Sequence, residues 1–322
     1  MIDRLMDKID KMKNPTVVGL DPLYDMIPEK IKSEMLERYG KTPKAVSEMF
    51  VEFNKGLIDS FYDIVPAVKP QIAMYEKYGV DGINAYIETI KYAKEKNMIV
   101  IGDIKRGDIA STAEAYASHL EGVEIEGEMF DPWNTDAVTL NPYMGFDAIE
   151  PFIKPCNERD KGMFILVKTS NPTSVQIQDL ESPMGDIDLK HIFTLERTPR
   201  VYQYVAKLVN EWGKLAMGKS GYSKVGAVLG ATLKHTFYSD DVIRKEMRRL
   251  MPNTFFLIPG YGAQGAGAKD IKDFFDKDGR GCIVNSSRGI IAAYKNNSKY
   301  SDDNFGEAAR EAALAMQVDL KI

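Results

Sequence analysis

The sequence contains few of the residues on which metal, redox and triad chemistry depend. It has 2 cysteines and 3 histidines among 322 residues, and their spacing matches no metal-binding or redox motif. No local signature supports a Ser-His-Asp triad either. The two cysteines, Cys156 and Cys282, are therefore expected to be reduced packing thiols in a cytoplasmic protein.

Long apolar runs and an excess of positive charge are also missing. No run approaches the length of a membrane span, and the charged start "MIDRLMDKIDKMKNP" lacks the apolar segment of a secretory signal. The net charge of −5 argues against nucleic acid or an anionic membrane as the main partner, but it leaves room for a local phosphate pocket. A hydrophobic content of 44% is typical of a globular chain with a substantial core.

Short apolar runs rich in β-branched residues recur along the chain, with amphipathic helical patterns between them. The eight predicted strands are residues 16–21, 64–69, 98–105, 137–141, 163–170, 224–232, 254–260 and 281–287. Such runs are typical of strands buried on both faces of a parallel sheet. Eight strand–helix units predict an α/β fold, a closed (β/α)8 TIM barrel, with an open doubly wound sheet as the alternative.

The predicted barrel occupies the whole chain as one domain, residues 1–322, with two long connections. We expect insertions at about 22–44 and 171–198, and we expect the second to act as a lid over the site. Polar or glycine residues stand at the end of every predicted strand. Because the carboxyl ends of barrel strands meet at one rim, the active site is predicted there.

The third strand ends in an unusual cluster of charges, "IGDIKRGDIAST". Strand alternation places Asp103 and Lys105 on the same inward face as two isoleucines. Buried charges are tolerated when paired, so the two side chains are expected to interact, with Lys69 of the neighbouring strand as a third member. Asp108 follows the turn, where either a helix cap or a catalytic role is open.

A phosphate site is predicted after the seventh and eighth strands. Glycines punctuate "PGYGAQGAG", and glycine lets backbone N–H groups approach an anion closely. The eighth strand runs into "SSRGI", where Arg288 can pair with phosphate oxygens. Barrels often bind phosphate with these two loops, which favours a phosphate site over a flexible turn and a surface arginine.

Together these blocks resemble the orotidine 5'-phosphate decarboxylase family, in particular its longer bacterial subfamily. The resemblance covers most of the chain, from Asp21 to Arg288. The matching blocks are "VVGLDP" with Asp21, "VKPQIAMYE" with Lys69, D-x-K-x-x-D at Asp103, Lys105 and Asp108 followed by Thr112, "LVKTSNP" with Ser170, "PGYGAQG" with Gln264 and "VNSSRGI" with Arg288.

The resemblance implies decarboxylation of orotidine 5'-monophosphate to UMP in pyrimidine biosynthesis, without metal or cofactor. It implies catalytic roles for Lys69, Asp103, Lys105 and Asp108, with Lys105 stabilising and protonating the C6 carbanion. It further implies ribose contact by Asp21, pyrimidine contact by Ser170 and phosphate contact by Gln264 and Arg288. Asp108 and Thr112 would reach the partner's site across a homodimer interface.

Three other functions remain open at this point. A metal-dependent sugar-phosphate decarboxylase or lyase on the same barrel shares the third-strand motif, although Ser170 and Lys69 favour the nucleotide enzyme. A Schiff-base aldolase would use Lys105 or Lys69 covalently. A non-catalytic protein that binds a phosphate ligand would have no need for the alternating lysines and aspartates.

Overall fold

Eight parallel strands close into a barrel in which neighbours in the chain are neighbours in space. The computed structural model describes residues 1–182, 199–233, 239–262 and 265–321. The strands in these ranges are β1 (Thr16–Leu20), β2 (Ala67–Pro70), β3 (Ile99–Arg106), β4 (Val123–Ile125), β5 (Glu128–Phe130), β6 (Ala137–Leu140), β7 (Gly162–Lys168), β8 (Ser223–Leu229), β9 (Thr254–Pro259) and β10 (Cys282–Ser286). All eight predicted strands and the closed barrel are confirmed, and the open doubly wound alternative is wrong.

Helices pack around the barrel and fill the connections. Those in the described residues are α1 (Ile2–Met12), α2 (Glu29–Tyr39), α3 (Pro43–Phe61), α4 (Ile72–Glu76), α5 (Gly79–Glu95), α6 (Ala110–Glu121), α7 (Ile153–Glu158), α8 (Val175–Gln178), α9 (Val201–Gly213), α10 (Asp240–Leu250), α11 (Ala268–Ile271), α12 (Arg288–Ile291) and α13 (Phe305–Asp319). Helix α1 closes the N-terminal end of the barrel, because its Leu5 packs in one cluster with Val17, Ala67 and Ile99 at the strand starts.

Alternate residues of each strand face two different cores. In β3, Ile99 and Ile101 belong to the cluster inside the barrel, whereas Val100 and Ile104 belong to the cluster between strands and helices. This confirms the alternation predicted for the apolar part of the strand. The inward face therefore runs from Ile99 through Ile101 toward Asp103 at the C-terminal rim.

The connections contain structure that the sequence patterns did not predict. The first predicted insertion holds α2, and a small antiparallel hairpin of β4 and β5 precedes the fourth barrel strand. Residues 183–198 of the second predicted insertion lie outside the described residues, so its role as a lid stays a prediction.

Two expectations from composition can be compared with the structure. Cys156 and Cys282 are both buried and form no disulfide, as expected of packing thiols. Within the ranges described above, none of the helices has the length and apolar content needed to cross a membrane.

Candidate active site

The end of β3 holds one buried carboxylate between two lysines. Asp103 is 5% exposed, and both of its oxygens are saturated with hydrogen bonds. Oδ2 accepts from Lys69 Nζ at 2.6 Å and from Gln71 Nε2 at 2.9 Å, and Oδ1 accepts from Lys105 Nζ at 2.6 Å and from Thr139 Oγ1 at 2.7 Å. Four donors from three strands and a helix start therefore fix the orientation of this carboxylate.

The pairing keeps these groups charged despite their burial. Burial raises the pKa of Asp103, but the charges of Lys69 and Lys105 outweigh it and hold that pKa well below its usual range. Burial likewise lowers the pKa of Lys69, and the carboxylates of Asp103 and Asp21 more than offset it, so that its pKa is raised. At neutral pH the cluster therefore contains an ionised carboxylate and a protonated Lys69.

Lys105 does not continue the regular geometry of β3. Its φ is 46°, in the left-handed region, and the register between β3 and β6 shifts between Gly102 and Arg106. The Lys105 backbone N–H donates to Thr139 Oγ1 at 3.0 Å, and its side chain, 44% exposed, turns back to Asp103. Sequence alternation thus predicted the contact between the two residues but not the irregular backbone that makes it.

A cavity of about 400 Å³ opens beside the Asp103 cluster, at the C-terminal rim of the barrel. Its lining combines residues from β1, β2, β3, β9 and β10 and the loops that follow them: Asp21, Leu23, Met26, Lys69, Met74, Asp103, Pro259, Gly260, Tyr261, Asn285, Ser287 and Arg288. Four of the predicted site residues, Asp21, Lys69, Asp103 and Arg288, therefore face one cavity. The buried Oδ1 of Asp21 accepts no hydrogen bond from any described residue.

The far side of the cavity is formed by the two loops in which phosphate binding was predicted. Gly260, Gly262 and Gly265 have φ values of 102°, 72° and 85°, a conformation that glycine adopts without strain. Arg288 is exposed and begins α12 directly after β10. Gln264 lies outside the described residues, so its predicted phosphate contact stays a prediction.

Four predicted site residues do not line the cavity of a single chain, and one of them is Lys105, which contacts the cavity residue Asp103. Asp108 and Thr112 are half-buried beyond the end of β3, and Ser170 is half-buried beyond the end of β7. The capping role considered for Asp108 is wrong, because α6 begins at Ala110 with Ile109 at its N-cap and no side-chain cap. The Asp108 carboxylate instead accepts a hydrogen bond from the Ile109 N–H at 2.8 Å.

The structure adds polar residues that were not among the predicted site residues. Thr139 and Gln71 both donate to Asp103, and Asn285 and Ser287 line the cavity. In the predicted strand "AVTLN", Thr139 lies two residues before the polar end residue Asn141 and therefore shares its inward face. Alternation along this strand could have identified Thr139 as a site residue. The part of the chain that the structure describes contains no group of three or more His, Cys, Asp or Glu side chains that could hold a metal ion.

The chain is similar to known proteins over its whole length. The sequence profile described as "Orotidine 5'-phosphate decarboxylase / HUMPS family" matches residues 18–302. A protein of Petrotoga mobilis named orotidine 5'-phosphate decarboxylase is 42% identical over 100% of this chain and 98% of its own, and one of Clostridium novyi with the same name is 40% identical over 99% and 98%. The solved structure of Leishmania donovani OMP decarboxylase aligns with a TM-score of 0.67 at 29% identity, covering 98% of each chain.

Proposed function

The chain belongs to the orotidine 5'-phosphate decarboxylase / HUMPS family, and we propose that it decarboxylates orotidine 5'-monophosphate to UMP in pyrimidine biosynthesis. The observation that carries the proposal is the Asp103 carboxylate held between Lys69 and Lys105 at the edge of a cavity that also contains Asp21 and Arg288. Arg288 lines the cavity as a cation for a phosphate, and the two lysines paired with Asp103 supply cations for the reacting carbon.

The reaction breaks the bond between C6 of the pyrimidine and its carboxylate carbon. Carbon dioxide leaves, the bonding electron pair stays on C6, and a proton must then be added to that carbon. The Lys105 ammonium stabilises the developing negative charge and donates this proton. Its half-exposed side chain binds Asp103 through the ammonium itself, which lies at the edge of the cluster.

Asp103 acts first by positioning the two lysines. Its ionised carboxylate accepts both ammonium groups, so neither has to be oriented when the substrate binds. A pre-arranged charge of this kind stabilises the transition state without reorganisation during the reaction. Thr139 and Gln71 complete the shell and keep the carboxylate from rotating.

The phosphate of the substrate binds at the opposite end of the cavity. Arg288 pairs with its oxygens, and the backbone of the loop that starts at Gly260 approaches it closely. Gln264 joins this contact and Ser170 contacts the pyrimidine, as the family resemblance implies. Binding energy from the distant phosphate contributes to holding C6 against Lys105.

The complete site requires a second copy of the chain. Asp108 and Thr112 do not line the cavity of their own chain, and Asp108 is free of a helix-capping role. The neighbouring Ile109 is 53% exposed, so this part of the surface offers a partner an apolar side chain next to Asp108. We therefore assign Asp108 and Thr112 to the partner's site in a homodimer, acting in the cytoplasm.

A turnover assay without added metal tests the proposal. Purified protein, treated with EDTA and passed through a desalting column, should convert orotidine 5'-monophosphate to UMP, followed by the change in ultraviolet absorbance. A flat trace from folded protein would refute the proposed function. Activity that disappeared with EDTA and returned with a divalent cation would favour the metal-dependent sugar-phosphate enzyme, and borohydride trapping of a substrate adduct on Lys105 or Lys69 would favour the aldolase.

A further inference from the structure

Asn285 is a buried amide that faces the cavity and lacks a partner for its oxygen. It is 6% exposed and lies on β10, in register with Val17 of β1 and Pro259 of β9. Its Nδ2 donates to Ser287 Oγ at 3.2 Å, whereas its Oδ1 accepts no hydrogen bond from any residue that the structure describes. A buried carbonyl oxygen without a donor is destabilising, so its presence at a cavity wall calls for an explanation.

The direction of the side chain follows from the alternation of β10. Ile283 belongs to the cluster inside the barrel and Val284 to the cluster outside it, so Asn285 continues the inward face at the C-terminal rim. The glycine at position 19 chiefly makes room for Ser287, whose Oγ would lie 1.9 Å from a Cβ there, and Asn285 Oδ1 would lie 3.1 Å from the same Cβ. Asn285 is thus placed on β10 as Asp103 is placed on β3.

The neighbouring strand presents a second acceptor of the same kind. Asp21, directly after β1, also lines the cavity and also has a buried oxygen without a donor among the described residues. Asp21 and Asn285 thus line one cavity from paired strands, and each has an oxygen that can accept a hydrogen bond from a ligand hydroxyl. A ribose carries such hydroxyl groups.

The position along the rim agrees with a sugar between the two ends of the site. The Asp103 cluster lies at the end of β3, and Arg288 follows β10. In the closed barrel the order is β10, β1, β2, β3, so Asn285 and Asp21 lie on the strands that join these two ends. A nucleotide with its phosphate at Arg288 and its pyrimidine at Lys105 has its sugar over these strands.

We propose that Asn285 Oδ1 accepts a hydrogen bond from a ribose hydroxyl of the nucleotide, and that this contact helps the enzyme distinguish ribonucleotides from deoxyribonucleotides. The inference rests on the proposed function, because it takes the ligand to be a pyrimidine nucleotide. Asn285 is in this sense a binding residue for the sugar, additional to Asp21. A hydroxyl-free ligand would leave its oxygen buried and unpaired in the complex.

Binding of UMP, 2'-deoxy-UMP and 3'-deoxy-UMP by calorimetry tests this contact without requiring turnover. For each protein the measured quantity is the ratio of the Kd of a deoxynucleotide to the Kd of UMP, so that general changes in affinity cancel. Asn285→Ala should reduce this ratio for one of the two deoxynucleotides by about fivefold, the effect of one neutral hydrogen bond. Asn285→Asp, which keeps an acceptor oxygen, should retain the ratio.

Ser286→Ala is the matched control, because Ser286 is buried on the same strand but does not line the cavity. It should leave both ratios unchanged. If Asn285→Ala raised the Kd of all three nucleotides by the same factor, the proposal would be overturned. If the alanine variant does not fold, a Kd ratio in Asn285→Asp that is clearly below the wild-type ratio would overturn it instead. A wild-type protein that fails to decarboxylate orotidine 5'-monophosphate would instead refute the proposed function, and the two failures are therefore separable.

Discussion

The two ends of β3 carry nearly the same arrangement of charges. At the C-terminal end, Asp103 accepts hydrogen bonds from two lysines. At the N-terminal end, Asp136 accepts from Lys94 Nζ at 2.7 Å, from Arg4 Nη1 at 3.1 Å and from the Val100 N–H at 2.9 Å. Both aspartates are at least nine-tenths buried, and cations hold the pKa of each below its usual range.

The surroundings of the two clusters differ more than the clusters themselves. Asp136 lies at the end closed by α1, which supplies Arg4, and one of its partners is the backbone of β3. Asp103 is bonded entirely by side chains and faces a cavity. Paired charge and a shifted pKa are thus common to a structural cluster and to the proposed catalytic one, and the position at the C-terminal rim distinguishes them.

The largest expected effect is a difference in kcat between variants of the two clusters. Lys105→Ala should lower kcat at least about 10⁴-fold, because it removes both the proton donor and a charge beside the reacting carbon. The matched variant Lys94→Ala removes a cation from the other end of β3 and should leave kcat within about twofold, since it lies far from the cavity. A large loss of kcat in Lys94→Ala, with the fold intact, would contradict the distinction.

The C-terminal cluster should also be the only one of the two that depends on a second subunit. A mixture of Lys105→Ala and Asp108→Ala chains, allowed to exchange subunits, should regain about a quarter of wild-type activity. Random pairing makes about half of the dimers mixed, and each mixed dimer has one intact site. Demonstrated subunit exchange without any recovery of activity would count against the shared site.

The N-terminal cluster should affect stability instead of rate. Asp136→Asn should lower the free energy of unfolding by about 3 kcal/mol, because Lys94 loses its carboxylate partner and Arg4 loses one of two, the other being Asp160, while kcat stays near wild type. Because the folded pKa of Asp136 is lowered, its contribution is present above the unfolded value of 3.8 and is lost as pH falls toward the folded pKa. Denaturant unfolding should therefore give a constant difference from wild type above about pH 5 and a shrinking one below about pH 4.

A second pH effect should arise at a buried histidine on the outer side of the barrel strands, in α6. His119 of α6 is buried against Trp133, with ring centroids 4.0 Å apart, and burial lowers its pKa from 6.5 to about 4. In this interval the unfolded chain binds a proton that the folded chain does not, so stability falls as pH drops from about 6.5 to about 4, by about 3 kcal/mol in all. His119→Phe keeps a stacked ring and should flatten this part of the curve, and an unchanged slope would exclude His119 as its cause.

The sequence predicted the barrel and the rim well because both depend on short-range patterns. Eight β-branched runs and alternation along β3 were sufficient to predict the strands and the inward position of Asp103. The hairpin of β4 and β5 was missed because each strand has three residues that are exposed or half-exposed, without a buried face. Thr139 and Gln71 were missed as partners of Asp103 because their contact depends on which strand ends meet in space. The role of the second insertion as a lid and the phosphate contact of Gln264 stay predictions, because residues 183–198 and Gln264 lie outside the described ranges.

The left-handed backbone at Lys105 has a consequence for the evolution of the chain. An L-residue with a φ of 46° carries a strain of about 1 kcal/mol that glycine does not, so the position is held by a lysine against its own conformational preference. The ion pair with Asp103 offsets this strain, because removing one partner of a buried pair costs about 3 kcal/mol. Glycine would therefore be favoured here only in a chain that had also lost the Asp103 carboxylate, and the joint loss of these two residues would mark a barrel that no longer needed the proposed reaction.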